Sequence, residues 1–240
     1  MLTSDKLKQL AIKNQTTELN VRREYVQHVF LSYFYQQKES RQIFFKGGTA
    51  LRVLFNSPRF SEDLDFSSPL RGIKEIETAV INALEEIEHE GIQTEIVESK
   101  KTTGGYLAII SFKLSLHSIE IQIEISNREK DSEGEVVTVV NDFIPSYTIM
   151  QLKLQILTEE KLLALLSRKK PRDFYDLYFM LRAKNLISQK QKKVLAEALI
   201  ELKKTHINFE KELKQFLPRT HWTIIRNFKS TLEKEIQKFI

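Results

Sequence analysis

The chain has no cysteine. Disulfides, iron–sulfur clusters and thiolate-bound zinc are excluded, and a reducing, cytoplasmic setting is expected. Glycine is scarce and unevenly placed: all seven lie at or before residue 134, and the last 106 residues contain none. That stretch holds only three of the five prolines, Pro145, Pro171 and Pro218. Glycine marks tight turns and weakens helices, so the pattern predicts a mixed N-terminal half and a helical C-terminal half. No apolar run approaches the ~20 residues that span a bilayer. The opening "MLTSDKLKQLAIKNQ" lacks the apolar core of a signal peptide, and no membrane partner is expected. The histidines at 28, 89, 117, 206 and 221 form no i,i+4 pair, which argues against a zinc site.

What is present fits a soluble globular chain. Its 240 residues can bury a sizeable core, with 41% hydrophobic and 29% charged residues. The net charge of +5 is uneven, because residues 184–240 carry 13 Lys/Arg against 6 Asp/Glu. A basic tail beside a near-neutral body suggests a polyanionic partner such as nucleic acid, or else lysine-rich solvated helix faces.

Periodicity predicts helices through the first 40 residues, with Val21, Tyr25, Val29 and Phe30 on one face. "QIFF" reads as a strand entering Gly47-Gly48, "TALRVLF" as a helix and "EDLDFSS" as a second strand. "IKEIETAVINALEEIEHE" reads as an amphipathic helix stopped by Gly91. "IQTEIVES", "YLAIISFKL", "SIEIQIEIS" and "EVVTVV" read as strands, and "TIMQLKLQI" as strand or helix. Helices are expected at "EEKLLALLSR", "PRDFYDLYFMLRA", "SQKQKKVLAEALIELKK", "NFEKELKQFL" and "HWTIIRNFKSTLEKEIQKF". The expected division is residues 1–145 and a mainly helical 146–240.

The chemistry centres on "FFKGGTALRVLFNSPRFSEDLDFSS". Residues i and i+2 of a strand share a face, so Asp63 and Asp65 project side by side while Leu64 and Phe66 enter the opposite face. Parallel carboxylates repel unless a cation lies between them, and hard oxygen donors suit Mg²⁺, or Mn²⁺ in its place. Alone, the pair reads more simply as a turn cap, Asp63, beside a surface acid, Asp65. Upstream, Gly47 and Gly48 close a strand and open a helix, where backbone N–H groups face an anion. Thr49 reads as that helix's cap or as a phosphate ligand, and Lys46 precedes the turn.

The pairing of "KGGTALRVLF" with "RFSEDLDFSS" resembles the AbiEii-type nucleotidyltransferase toxins. That family includes the mycobacterial MenT toxins and lies within the polymerase-β-like superfamily. The block "EEKLLALLSRKKPRDFYDLYFM" is similar to its downstream motif, with Lys161, Arg172, Asp173 and Asp176 on the matching positions. The resemblance spans roughly residues 44–179. It implies an α+β fold: a small mixed nucleotidyltransferase sheet flanked by helices, then a helical C-terminal domain.

The activity implied is transfer of NMP from an NTP to RNA, at the 3′ end of tRNA, by the toxin of a toxin–antitoxin or abortive-infection system with a cognate antitoxin. Lys46, Gly47, Gly48, Thr49, Arg59, Ser61 and Lys161 would bind the NTP, with Arg52 a weaker candidate. Asp63 and Asp65 would hold Mg²⁺, with Glu124 or Glu120 as a third carboxylate. Asp176 or Asp173 would complete the catalytic set. Lys192, Lys193, Lys203 and Lys204 would meet RNA, with Trp222 and Arg226 nearby. Rival readings are nucleotidylation or phosphorylation of a protein hydroxyl, and a non-catalytic nucleotide- or RNA-binding module. On the rival reading, Lys161 is solvated and Arg172 pairs with Asp176 along the helix.

Overall fold

The computed structural model describes residues 2–70, 72–127, 133–183, 186–187 and 191–240. The N-terminal region forms two helices, α1 (Ser4–Lys13) and α2 (Glu18–Phe34). The Thr3 and Thr17 hydroxyls cap them by accepting from the Lys6 and Asn20 N–H groups. Helix α2 departs from the one-sided pattern expected of it, because Arg22, Glu24, Gln27 and His28 are buried along with Val21, Tyr25 and Phe30. Each polar residue reaches a specific partner. Arg22 pairs with Glu18 at 3.1 Å, Gln27 donates to the Ser61 and Glu62 carbonyls, and His28 Nδ1 lies 2.8 Å from the Tyr147 hydroxyl. Buried polar groups are tolerated on these terms.

Next come β1 (Phe44–Lys46), α3 (Gly47–Phe55), β2 (Leu64–Ser68) and α4 (Ile73–His89). Gly91 follows α4 at φ +84°, the left-handed conformation of a helix stop. Strands β3 (Gln93–Thr102), β4 (Gly105–Leu114), β5 (His117–Asn127), β6 (Gly134–Val139) and β7 (Tyr147–Leu152) complete one mixed seven-stranded sheet, ordered β3-β4-β5-β2-β1-β7-β6. The ambiguous "TIMQL" is thus a strand, lying parallel to β1 and antiparallel to β6. The division expected after residue 145 therefore falls between two paired strands of one sheet.

Alternation along β4 and β5 buries Tyr106, Ala108, Ile110, Phe112, Ile119, Ile121, Ile123 and Ile125 under the helices. Leu107, Ile109, Glu120, Gln122 and Glu124 take the other, open face, as period 2 requires. Phe34 and Phe45 each lie 5.5 Å from the Phe66 ring, which anchors β2 from its buried side. Truncating such a ring to alanine costs about 3–5 kcal/mol.

Beyond the sheet lie α5 (Leu154–Arg168), α6 (Pro171–Arg182), α7 (Lys192–Lys204), α8 (Phe209–Leu213), α9 (Trp222–Arg226) and α10 (Phe228–Gln237). Pro171 opens α6, where its missing N–H costs nothing. The single helix expected at "HWTIIRNFKSTLEKEIQKF" breaks at Asn227, whose φ/ψ of −115°/32° is not helical. The start expected for α7 at Ser188 lies outside the described residues. The Phe60 N–H donates to the Phe216 carbonyl and the Arg219 N–H to the Gln15 carbonyl, tying the C-terminal helices to the segment before β2 and to the α1–α2 turn. Among the described residues no helix is long and apolar enough to cross a membrane.

Candidate active site

Strand register builds the site. Lys46 on β1 pairs with Asp65 on β2, and Asp65 pairs with Glu124 on β5, placing the three on adjacent strands of the open face. Glu120 lies four residues along β5, opposite Ser111, away from this row. Asp63 precedes β2 and is about one-third exposed, with side-chain accessibility 33%. Leu64 and Phe66 between and after the acids are fully buried, as alternation demands.

The glycine pair has a steric reason. Gly47 has φ +85°, and a Cβ there would overlap Asp65 Oδ2. A Cβ on Gly48 would overlap the Arg59 guanidinium and press on Ser61 Oγ. The bare backbone at the start of α3 thus lets one carboxylate and one guanidinium close against it. Thr49 is buried, and its hydroxyl donates to the Asp63 carbonyl, fastening α3 to the start of β2. That hydroxyl is taken by the backbone, and Thr49 does not line the neighbouring cleft.

Helix α5 supplies the opposite wall, and α6 packs against it. Asp176 is buried; its Oδ1 accepts from Arg59 Nε at 2.8 Å, and its Oδ2 from Arg59 Nη2 at 3.0 Å and Lys161 Nζ at 2.7 Å. Burial by itself would raise this carboxyl's pKa, but the two cations outweigh it and hold the group down at about 2. Burial likewise opposes the Arg59 charge, and Asp176 more than restores it, so that guanidinium is held above its usual range. Arg59, expected to face phosphate, is therefore committed to this core network. The i,i+4 pairing of Arg172 with Asp176 is absent; Arg172 Nη1 instead lies 4.0 Å from Asp63 Oδ2. Asp173 is buried, accepts from Arg168 Nη2 at 2.7 Å, and caps α6 through the Lys170 N–H. Arg52 clasps Glu24 at 2.6 Å and stacks 3.6 Å over the Phe60 ring, which is a structural placement.

Between the walls lies a cleft of about 500 Å³ lined by Lys46, Gly47, Asp65, Glu124, Glu160 and Lys161, with Leu157, Ala164, Ser167 and Arg168 along α5. Glu160 and Arg168 are not among the residues expected from the sequence. Their signal was helical spacing: Leu157, Glu160, Lys161, Ala164, Ser167 and Arg168 recur at three- and four-residue intervals on one face. An apolar cleft of about 480 Å³ lies elsewhere, lined by Tyr25, Tyr33, Phe143 and Tyr147, and holds none of the acidic pair.

The donor set suits a divalent cation at Asp63 and Asp65. Burial, then the neighbouring Asp65 charge, push the Asp63 carboxyl up to about 6, against partial relief from Arg172. A cation would remove that penalty, and hard carboxylate oxygens are what Mg²⁺ selects. Among the described residues no three His, Asp or Glu side chains converge closely enough to hold a metal, so Glu124 adjoins the pair without completing a cage.

The four tail lysines do not line this cleft. Lys203 pairs with Glu233 at 3.1 Å and Lys204 with Glu201 at 3.4 Å, while Lys192 and Lys193 are exposed at the start of α7. Trp222 stacks against Lys214 at 4.4 Å.

A family model described as the nucleotidyl transferase AbiEii toxin of type IV toxin–antitoxin systems matches residues 29–238. Among solved structures, the chain is similar to MenT4, a nucleotidyltransferase toxin from Mycobacterium tuberculosis H37Rv. The identity is 17% and the TM-score 0.69, over 98% of this chain and 89% of that one. It is also similar to JHP933 from Helicobacter pylori, with 21% identity and a TM-score of 0.52 over 93% of this chain and 95% of that one. At such identities the likeness to solved structures is one of fold. Curated protein sequences give no match.

Proposed function

The chain belongs to the AbiEii family of nucleotidyltransferase toxins of type IV toxin–antitoxin systems, and from that premise we propose an RNA acceptor, with the 3′ end of tRNA the first choice. The observation that carries the proposal is the Asp63–Asp65 pair at the glycine-opened start of α3, with Asp65 beside Lys46 on the sheet and across the cleft from Lys161. A bound Mg²⁺ would neutralise that pair, lower the acceptor hydroxyl's pKa and offset charge on the leaving pyrophosphate.

Asp63 and Asp65 are the residues that would hold the metal, with Glu124, paired with Asp65 on the next strand, as the third carboxylate. The N–H groups at the start of α3 offer donors to triphosphate oxygens, in the field of the helix's positive end. Lys46 and Lys161 add charge from the two walls of the cleft. In the transfer, the acceptor hydroxyl oxygen bonds to the α-phosphorus and its proton passes to solvent, as the bond to the β-phosphate breaks and pyrophosphate leaves. Glu124 faces the open side of the sheet, where an acceptor end would lie. Asp176 works through other residues: it fixes Lys161 and joins α6 to the Arg59 loop. Asp173 secures the start of α6 in the same supporting manner.

The test compares α-labelled with γ-labelled NTP, each incubated with purified RNA and with protein fractions. Label entering RNA from the α position alone supports the proposal. Label entering protein, or entering anything from the γ position, replaces it with protein nucleotidylation or a kinase.

A further inference from the structure

The apolar cleft of about 480 Å³ shares no described lining residue with the catalytic cleft. Its walls are α2, the end of α4 and the segment leading into β7. Tyr25, Tyr33, Phe143 and Tyr147 supply its rings. Their positions are fixed from within the protein. The Leu2 N–H donates to Tyr25 Oη at 3.1 Å, Tyr147 Oη lies 2.8 Å from His28 Nδ1, and the Tyr25 and Phe143 ring centroids are 6.2 Å apart. Among the described lining residues the one charge is that of Glu90, the C-cap of α4. Glu90 is exposed, and no cation among the described residues pairs with it. Its carboxylate stands beside the Tyr33 hydroxyl; burial first, then Glu90, raises that tyrosine's pKa, and the Glu86 charge adds to the effect. His28, bonded to Tyr147, contributes no positive charge, because burial and then Arg52 hold its pKa at about 3.

We propose that this cleft binds a small organic cation, its apolar body packed among the four aromatic rings and its charge met by their faces and by Glu90. The complementarity is electrostatic as well as apolar. An aromatic face carries the negative part of the ring quadrupole and attracts a cation within about 6 Å of the centroid. A carboxylate at the rim adds a full charge of the same sign. The volume lies within the range of small-molecule sites, about 300–1,000 Å³. The whole chain carries +5, so its general field favours anions, and a preference for a cation here is a local property. The site stands independently of the nucleotidyl-transfer reading.

The probes share one body and differ in charge: 2-phenylethylammonium, 2-phenylethanol and phenylacetate. Each is titrated calorimetrically into the full chain, its Glu90→Gln variant and its Tyr33→Leu variant. The quantity read is the ratio of the alcohol's Kd to the cation's, which cancels changes in apolar contact. Wild type should favour the cation over the alcohol by roughly threefold or more, with the anion weakest. Each variant should cut the cation's lead by about twofold to fivefold, the scale of one exposed ion pair or one cation–ring contact. Glu90→Gln should leave the alcohol's affinity unchanged. Alcohol or anion binding as tight as the cation's in wild type overturns the proposal. A lead unchanged in either variant also overturns it, as when the cation sits at Asp63 and Asp65 instead. Absence of saturable binding by all three probes does the same.

Discussion

Replacing Asp63 by asparagine should stabilise the metal-free protein while removing its activity. Asp63 stands beside Asp65, and burial followed by that like charge raises its pKa from 3.8 to about 6. Between those values the folded state holds more protons than the unfolded one, so stability falls as pH rises through the window. Above pH 6 the folded protein carries the whole penalty; near pH 4 it carries little. The shift of about two pH units corresponds to roughly 3 kcal/mol at 1.36 kcal/mol per unit. The side chain is 33% exposed, and solvent screening brings the expected gain down to about 1–1.5 kcal/mol. For a chain of this length that is a rise in Tm of roughly 2–5 °C.

Asparagine keeps the shape and the Thr49 bond is to the backbone carbonyl; what is lost is the 4.0 Å approach of Arg172 Nη1, whose relief is already counted in the raised pKa. The assay is thermal or urea unfolding in EDTA at pH 7.5 and pH 4.5. The gain should be full at pH 7.5 and shrink to about a third at pH 4.5 by the same linkage. Added Mg²⁺ should raise the Tm of wild type and leave Asp63→Asn nearly unmoved. Equal or lower stability of Asp63→Asn at pH 7.5, or a gain that is the same at both pH values, would refute the reasoning.

Other consequences concern the supporting network and the tail. Asp176→Ala should cost about 3–5 kcal/mol, because it leaves the buried Arg59 guanidinium without its partner; an unchanged urea midpoint would remove the network from the stability of the fold. Gly47→Ala should cost both stability and turnover, since the new Cβ meets Asp65 Oδ2 at a positive φ. A variant with wild-type kinetics would show that Asp65 need not sit against α3. Replacing Lys192, Lys193, Lys203 and Lys204 together by glutamine should flatten the salt dependence of RNA binding, whose log–log slope is roughly −0.7 to −0.9 per phosphate contact. Most of that change should come from Lys192 and Lys193, because the other two already pair with Glu233 and Glu201. An unchanged slope would restrict all four to solvating α7.

The strand–turn–helix–strand order around Gly47 and Asp65 was legible because it depends on local features: a period of two, a glycine pair and a short helix between them. The same applies to Ile119–Ile125 against Glu120–Glu124, where alternation alone assigns the faces. What was not legible depends on contacts distant in sequence. Arg59 and Asp176 are 117 residues apart, so nothing near Arg59 distinguishes a core ion pair from a phosphate ligand. Asp173 and Asp176 lie three apart on one helix and looked interchangeable, yet one caps that helix and the other binds Arg59 and Lys161. In α2, the polar residues that suggest a solvent face are buried by partners on other elements, Glu24 by Arg52 and His28 by Tyr147. Hydrophobic period records which apolar residues seek cover; it carries no record of which polar ones find a partner there.

The central claim is that the carboxylate pair beside the glycine turn drives nucleotidyl transfer to RNA. The most direct measurement is covalent incorporation from α-labelled NTP into purified tRNA, with wild type and a soluble Asp65→Ala variant of matched melting temperature. Removing one charged ligand from a site that must hold Mg²⁺ in near-octahedral geometry should reduce labelling by more than about tenfold. Wild-type labelling of the RNA, and its loss in Asp65→Ala, is the result expected. Labelling by Asp65→Ala at the wild-type rate, or no labelled RNA from active wild-type protein, would contradict the claim.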